Sequence, residues 1–286
     1  RNEREGGVRA VGSVLQRRVD LHEAEGKGVD TVTMHVQADD NTQIEVYAEN
    51  DGDVVFVIAG YWTGSAYDEA FAPFDELAEG GWVDKNLTDE GIAPNRVVEI
   101  LMTNTDESRE RIAGVRANGT THDRFFNLHE AKDGGIEGLS LMVTADAASA
   151  IEVYSQDLND VEFYVLGSWS DPPGVYTESA VTPLQVASTS VWEALDLTSL
   201  GIPVDAIVQF ALGNWRDDKK NFTGVRQIGS NLDGRSFELH KAKDGGADFV
   251  SLHVRLKDTA QVEGFAVYPN DDTRFYPAGW WVLTSP

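Results

Sequence analysis

Gly114-Val115-Arg116, Arg124, Leu128-His129, Ile151-Glu152-Val153-Tyr154 and Gly167-Ser168-Trp169 mark the stretch that decides the fold, because the chain writes it three times. An earlier copy runs through Gly7-Val8-Arg9, Arg17, Leu21-His22, Ile44-Glu45-Val46-Tyr47 and Gly60-Tyr61-Trp62. A later copy runs through Gly224-Val225-Arg226, Arg235, Leu239-His240, Val262-Glu263-Gly264-Phe265 and Gly279-Trp280-Trp281. His22 and His129 are 107 residues apart, and His129 and His240 are 111 apart. A period this regular defines the folding unit and is read before local propensity.

Outward from each Leu-His comes a Gly-rich stretch: Glu25-Gly26-Lys27-Gly28, Lys132-Asp133-Gly134-Gly135 and Lys243-Asp244-Gly245-Gly246. Alternating runs follow at 31–36, 139–143 and 250–254, and period-2 alternation bounded by turn residues reads as strands with one buried face. Many short strands at regular spacing predict an all-β chain of tandem β-sandwich or jelly-roll-like repeat domains. A further segment occurs only twice, Trp82 with Gly91-Ile92-Ala93-Pro94 and Trp192 with Gly201-Ile202-Pro203-Val204, each leading to an apolar strand that ends at Asn104 or Asn214. The units are therefore expected at 1–64, 80–171 and 189–286, with linkers at 65–79 and 172–188. The linkers share Tyr-x-Glu, at Tyr67-Asp68-Glu69 and Tyr176-Thr177-Glu178, and are expected as extended crossings that pair at a sheet edge, with a short helix over 74–78. The first unit is expected to be incomplete and to be finished by strands from elsewhere, since an open sheet edge invites strand addition.

The net charge of −25 opposes contact with nucleic acid or anionic lipid, and no apolar run approaches the roughly 20 residues that cross a bilayer. The chain has no Cys, which excludes disulfides and thiolate chemistry. No Gly-x-Ser-x-Gly elbow, phosphate loop or His-Glu-x-x-His occurs, and no carboxylate pair stands out, so catalysis is not expected.

Among recurring polar residues, His22, His129 and His240 are expected as strand-end imidazoles bonded to backbone, with no shared metal site. Arg9, Arg116 and Arg226, with Arg17, Arg124 and Arg235, are candidates for internal pairing with Glu45, Glu152 and Glu263, because guanidinium suits bidentate carboxylate contact. Trp62, Trp169 and Trp281 either pack in the core or stack on sugars, with Trp280 the expected exposed exception. Acidic turns at Asn50-Asp51-Gly52-Asp53, Asp157-Leu158-Asn159-Asp160 and Asn270-Asp271-Asp272 are read as plain tight hairpins, although their oxygens also suit calcium; no cofactor is expected.

The set Gly-Val-Arg, Arg, Leu-His-x-Ala, Ile-Glu-Val-Tyr and Gly-x-Trp, written best at 7–62 and 114–169 and more loosely at 224–281, resembles the tandem β-domains of structural proteins of tailed phages and archaeal viruses. The resemblance implies a non-enzymatic component of a virion or extracellular surface that forms homo-oligomers or larger assemblies, and it transfers no catalytic residue. The alternative from a different class is a secreted carbohydrate-binding adhesin or accessory module, with surface glycans as partners.

Overall fold

The computed structural model describes residues 3–22, 28–50, 52–74, 79–132, 134–232, 235–242 and 245–283. In the first unit β1 (Arg4–Ala10), β2 (Arg18–Leu21) and β3 (Ile44–Ala48) form one antiparallel sheet in the order β2-β1-β3. The second unit comprises β4 (Ala66–Phe74), β5 (Trp82–Asn86), β6 (Val97–Asn104), β7 (Arg111–Ala117), β8 (Phe125–Leu128), β9 (Glu137–Thr144), β10 (Ala150–Ser155) and β11 (Val161–Asp171). They form two sheets, β5-β10-β7-β8 and β4-β11-β6-β9. The third unit repeats this with β12 (Gly174–Glu178), β13 (Glu193–Asp196), β14 (Ile207–Asn214), β15 (Asn221–Gln227), β16 (Ser236–Leu239), β17 (Asp248–Arg255), β18 (Gln261–Ala266) and β19 (Thr273–Leu283), in sheets β13-β18-β15-β16 and β12-β19-β14-β17. The protein is thus all-β, built of tandem β-sandwich units. Among the described residues no helix is long and apolar enough to cross a membrane.

Alternation explains the cores. In the second unit Ile100, Met102, Val115, Leu141, Ile151, Phe163 and Val165 project between the two sheets, and each such side chain contributes about 1.5–3 kcal/mol on burial. Val208, Phe210, Leu212, Val225, Leu252 and Phe275 do the same in the third.

Both segments read as linkers contain edge strands: β4 pairs with β11, placing Tyr67 opposite Trp169, and β12 pairs with β19, placing Tyr176 opposite Trp281. They are extended crossings, and Pro73 is tolerated because an edge strand needs no donor on its outer side. Phe74 closes β4; the rest of the helix expected over 74–78 lies outside the described residues, as do parts of the Gly-rich stretches.

The three units close into a ring. Single parallel bridges join Leu21 to Ile136, Leu128 to Ala247 and Leu239 to Val29, so each unit hands on to the next and the third returns to the first. The Ile136 N–H donates to Asp20 O at 2.7 Å, and the N–H groups of Ala247 and Val29 donate to Asn127 O and Glu238 O, each at 2.8 Å. Close approach here requires glycine: a Cβ on Gly135 would sit 2.5 Å from the His22 Cα, and Gly246 and Gly28 lie equally tight against His129 and His240. Gly135→Ala is therefore expected to lower the unfolding free energy by about 1–3 kcal/mol through overpacking, read as a shift of the urea midpoint at unchanged slope. A midpoint equal to the parent's would show that the ring joint can part without cost.

The first unit departs from this plan. Among the described residues nothing occupies the places that β4, β5 and β6 take in the second unit. Residues 31–36 and 55–62, which correspond to β9 and β11, carry no strand pairing. The consequence is visible in exposure. Phe56 and Ile58 are 42% and 81% exposed, whereas their counterparts Phe163 and Val165 are fully buried.

Candidate functional site

Each unit contributes one of every repeated residue to an approximate three-fold axis, where two layers form. In one layer the rings of His22, His129 and His240 meet in T-shaped contacts, with centroids 4.5 to 5.1 Å apart. Eight residues after each His stands an acid, Asp30, Glu137 or Asp248. Asp30 and Asp248 accept the backbone N–H of His22 and His240 at 3.0 and 2.7 Å. Glu137 reaches inward instead, placing Oε2 3.4, 3.1 and 4.0 Å from Nε2 of His22, His129 and His240.

All six of these residues except Asp30 are buried, and Asp30 is partly so. Desolvation pushes the Asp30 carboxyl up to about 7, against the favourable charge of His22. Desolvation likewise raises Glu137, and Asp248 goes well above the carboxylate range, where Glu137 and Asp30 add repulsion. Each imidazole stands directly after its strand, β2, β8 or β16, and ring closure brings these three strand ends into one cluster. His240 Nδ1 still donates to the Lys241 carbonyl at 3.0 Å, which leaves its Nε2 as an acceptor facing inward.

The second layer is aromatic. Trp62, Trp169 and Trp281 meet with centroids 5.5 to 6.1 Å apart. Trp169 and Trp281 are buried and Trp62 is partly covered by them, while Trp280 packs against the core of the third unit. The repeated Trp faces are therefore spent on one another, which removes Trp169 and Trp281 as sugar platforms and makes Trp280 half-buried rather than exposed.

Around this layer the arginines divide into two sets. Arg9, Arg116 and Arg226 lie directly opposite Glu45, Glu152 and Glu263 in the sheet register, and their Nε atoms approach the carboxylates at 2.7, 2.9 and 2.7 Å. Arg17 and Arg124 instead reach the Tyr-x-Glu carboxylate of the following unit, Glu69 at 3.3 Å and Glu178 at 3.2 Å. Arg235 has no such carboxylate among the described residues and bonds only to the carbonyls of Val225, Ala59 and His253. Burial alone lowers its pKa.

A polar residue on the central strand extends the pattern. Glu99 on β6 accepts from His35 N at 3.1 Å, from the Tyr67 hydroxyl at 2.6 Å, and meets His35 Nδ1 at 3.0 Å. Burial works to raise Glu99, yet the His35 charge and these bonds hold it below the usual range. Gln209 on β14 accepts from Met142 N in the same way at 3.0 Å. His253, the third-unit counterpart of His35 and Met142, has a buried Nε2 with no hydrogen-bond partner among the described residues, and desolvation first, then the charges of His35 and Arg235, press its pKa well below the usual imidazole value.

At the acidic turns, whose oxygens would also suit calcium, an arginine faces the carboxylates. Arg111 Nε donates to Asp160 at 2.8 Å and its Nη2 faces Asp106 and Asp157; Arg4 pairs with Asp53 at 2.7 Å, and Arg216 with Asp272 at 2.8 Å. The guanidinium supplies the positive charge these oxygens require.

Sequence reasoning missed Asp30, Glu137 and Asp248, although their constant offset from the repeated His was there to be read. It also missed Glu99 and Gln209, which sit in otherwise apolar strands and show a role only once the neighbouring unit is placed beside them.

No protein-family model matches the sequence, and no curated protein matches it. Among solved structures the chain is similar to the N-terminal CBM22-1-CBM22-2 tandem domain of Xyn10C from Paenibacillus barcinonensis, with 11% identity and a TM-score of 0.22, over 79% of this chain and 100% of that one. At that score the architecture rests on the chain's own sheets.

Proposed function

We propose that this chain is a non-enzymatic structural protein of a virion or cell surface, and that its first unit accepts strands of its own repeat type from outside the described residues, whether from an upstream segment or from a neighbouring polypeptide. The observation that carries this reading is the set of open partners in one place. Among the described residues Arg235 faces no Tyr-x-Glu carboxylate and His253 no Glu or Gln. A Cβ on Gly60 would meet nothing within 4 Å, whereas one on Gly167 or Gly279 would run into the ring of Tyr67 or Tyr176. The two complete units state what belongs there: an edge strand bearing Tyr-x-Glu and a central strand with a carboxylate or carboxamide at its third residue. Strand addition of this kind takes affinity from main-chain hydrogen bonds and specificity from alternate side chains.

The test adds a synthetic peptide of residues 66–104, which carries Tyr67, Glu69 and Glu99 in register, to the intact chain. One-to-one binding by calorimetry is expected, with slower amide exchange across 55–61 and at least tenfold weaker binding when both glutamates are alanine. Absence of binding and of protection would refute strand acceptance. Self-association of the chain that the peptide competes away would assign the face to a second copy instead.

A secreted carbohydrate-binding role is the second reading, and one observation favours it: Tyr61 is 87% exposed, a free aromatic face on the surface of the first unit. Glycan-array binding that Tyr61→Ala abolishes would establish this reading.

A further inference from the structure

We propose that the three-histidine cluster on the ring axis is a divalent transition-metal site, with Zn2+ as the ion of choice, held by Nε2 of His22, His129 and His240 and by a carboxylate oxygen of Glu137. These four donor atoms all lie within 4.8 Å of one another and belong to buried side chains. The separations that define the set are 3.0 Å between Nε2 of His129 and His240 and 3.1 to 4.0 Å from Glu137 Oε2 to the three rings. Tetrahedral zinc with bonds near 2.0–2.1 Å has ligand atoms about 3.3 Å apart, within that spread. Three imidazoles and one carboxylate oxygen are a donor set suited to zinc and poor for calcium or magnesium, which prefer all-oxygen shells.

The chemistry of the protein around the cluster agrees. The Nδ1–H of His240 is held by the Lys241 carbonyl, which fixes the tautomer with a lone pair directed at the centre. Gly28, Gly135 and Gly246 clamp the three His backbones, so the rings are positioned by the ring joints rather than by flexible loops. Glu137 faces the imidazoles of His22 and His129 and Asp248 faces that of His240, and among the described residues no Lys or Arg forms an ion pair with either carboxylate; a divalent cation would supply positive charge there. Because the donors come from all three units, the ion would lock the ring closed.

The site is enclosed, so the ion is expected to enter during folding. The full-length chain is unfolded in denaturant with chelator, then refolded with and without Zn2+. Mass spectrometry is expected to find one zinc per chain after exchange into metal-free buffer, with a higher thermal midpoint than the metal-free sample. Refolding with Co2+ is expected to give the intense visible bands of a tetrahedral nitrogen and oxygen site. His129→Gln should reduce zinc affinity by more than about 100-fold, since even outer-shell partners of zinc ligands account for 10–100-fold. A chain that regains its native near-ultraviolet circular dichroism while taking up neither Zn2+ nor Co2+ would overturn the proposal. So would a cobalt spectrum of octahedral, all-oxygen type, which needs no variant to fold.

Discussion

Arg124→Met is expected to lower the unfolding free energy by about 3–5 kcal/mol, because it removes one member of a buried ion pair and leaves the other without a partner. Arg124 is fully buried, with Nη1 3.2 Å from the Glu178 carboxylate and Nη2 donating to the Met142 carbonyl at 3.1 Å. Glu178 belongs to the next unit, so the loss falls on a joint between units as well as on a core. The internal control is Arg235→Met: this arginine lies at the same place in the repeat but orphans no carboxylate, and about 1 kcal/mol is expected from the loss of carbonyl hydrogen bonds. Equal losses in urea unfolding would mean that the Glu178 pairing contributes nothing beyond those bonds.

Trp281→Ala is expected to cost about 3–5 kcal/mol, the range for deleting a large buried aromatic and leaving a cavity. Its indole is fully buried and meets Trp62, Trp169 and Tyr176 at centroid distances of 6.1, 5.7 and 5.0 Å. Three coupled indoles should also give a strong near-ultraviolet dichroism that collapses in this variant. A loss under 1 kcal/mol would show that the axis layer is loosely packed.

The strands were legible because alternation is local: 139–143 and 250–254 show their buried face in the residues themselves. So was the Arg116–Glu152 pair, once two strands with fixed content could be laid side by side. Ring closure was not, because the joints are single parallel bridges such as Leu128 to Ala247, which leave no periodic trace. Without closure the three histidines remain three strand ends, and the acid eight residues beyond each remains one acid among many. Tyr-x-Glu was visible in the presumed linkers; its partner was hidden because Glu69 answers Arg17, an arginine of the preceding unit. The Trp residues were read as either core or sugar contact, and only their convergence decides for core.

A homotrimer built from one such unit would be bound to change all three of its equivalent positions together. Here the three positions are separately encoded, and the axis shows what that freedom permits: Asp30 and Asp248 stay beside their own strands while Glu137, one methylene longer, alone reaches all three imidazoles. Glu99 and Gln209 differ in the same manner, as do His35, Met142 and His253. Joining the units in one polypeptide lets selection break the symmetry of the centre one residue at a time, so a substitution at the axis perturbs one third of the ring and not the whole.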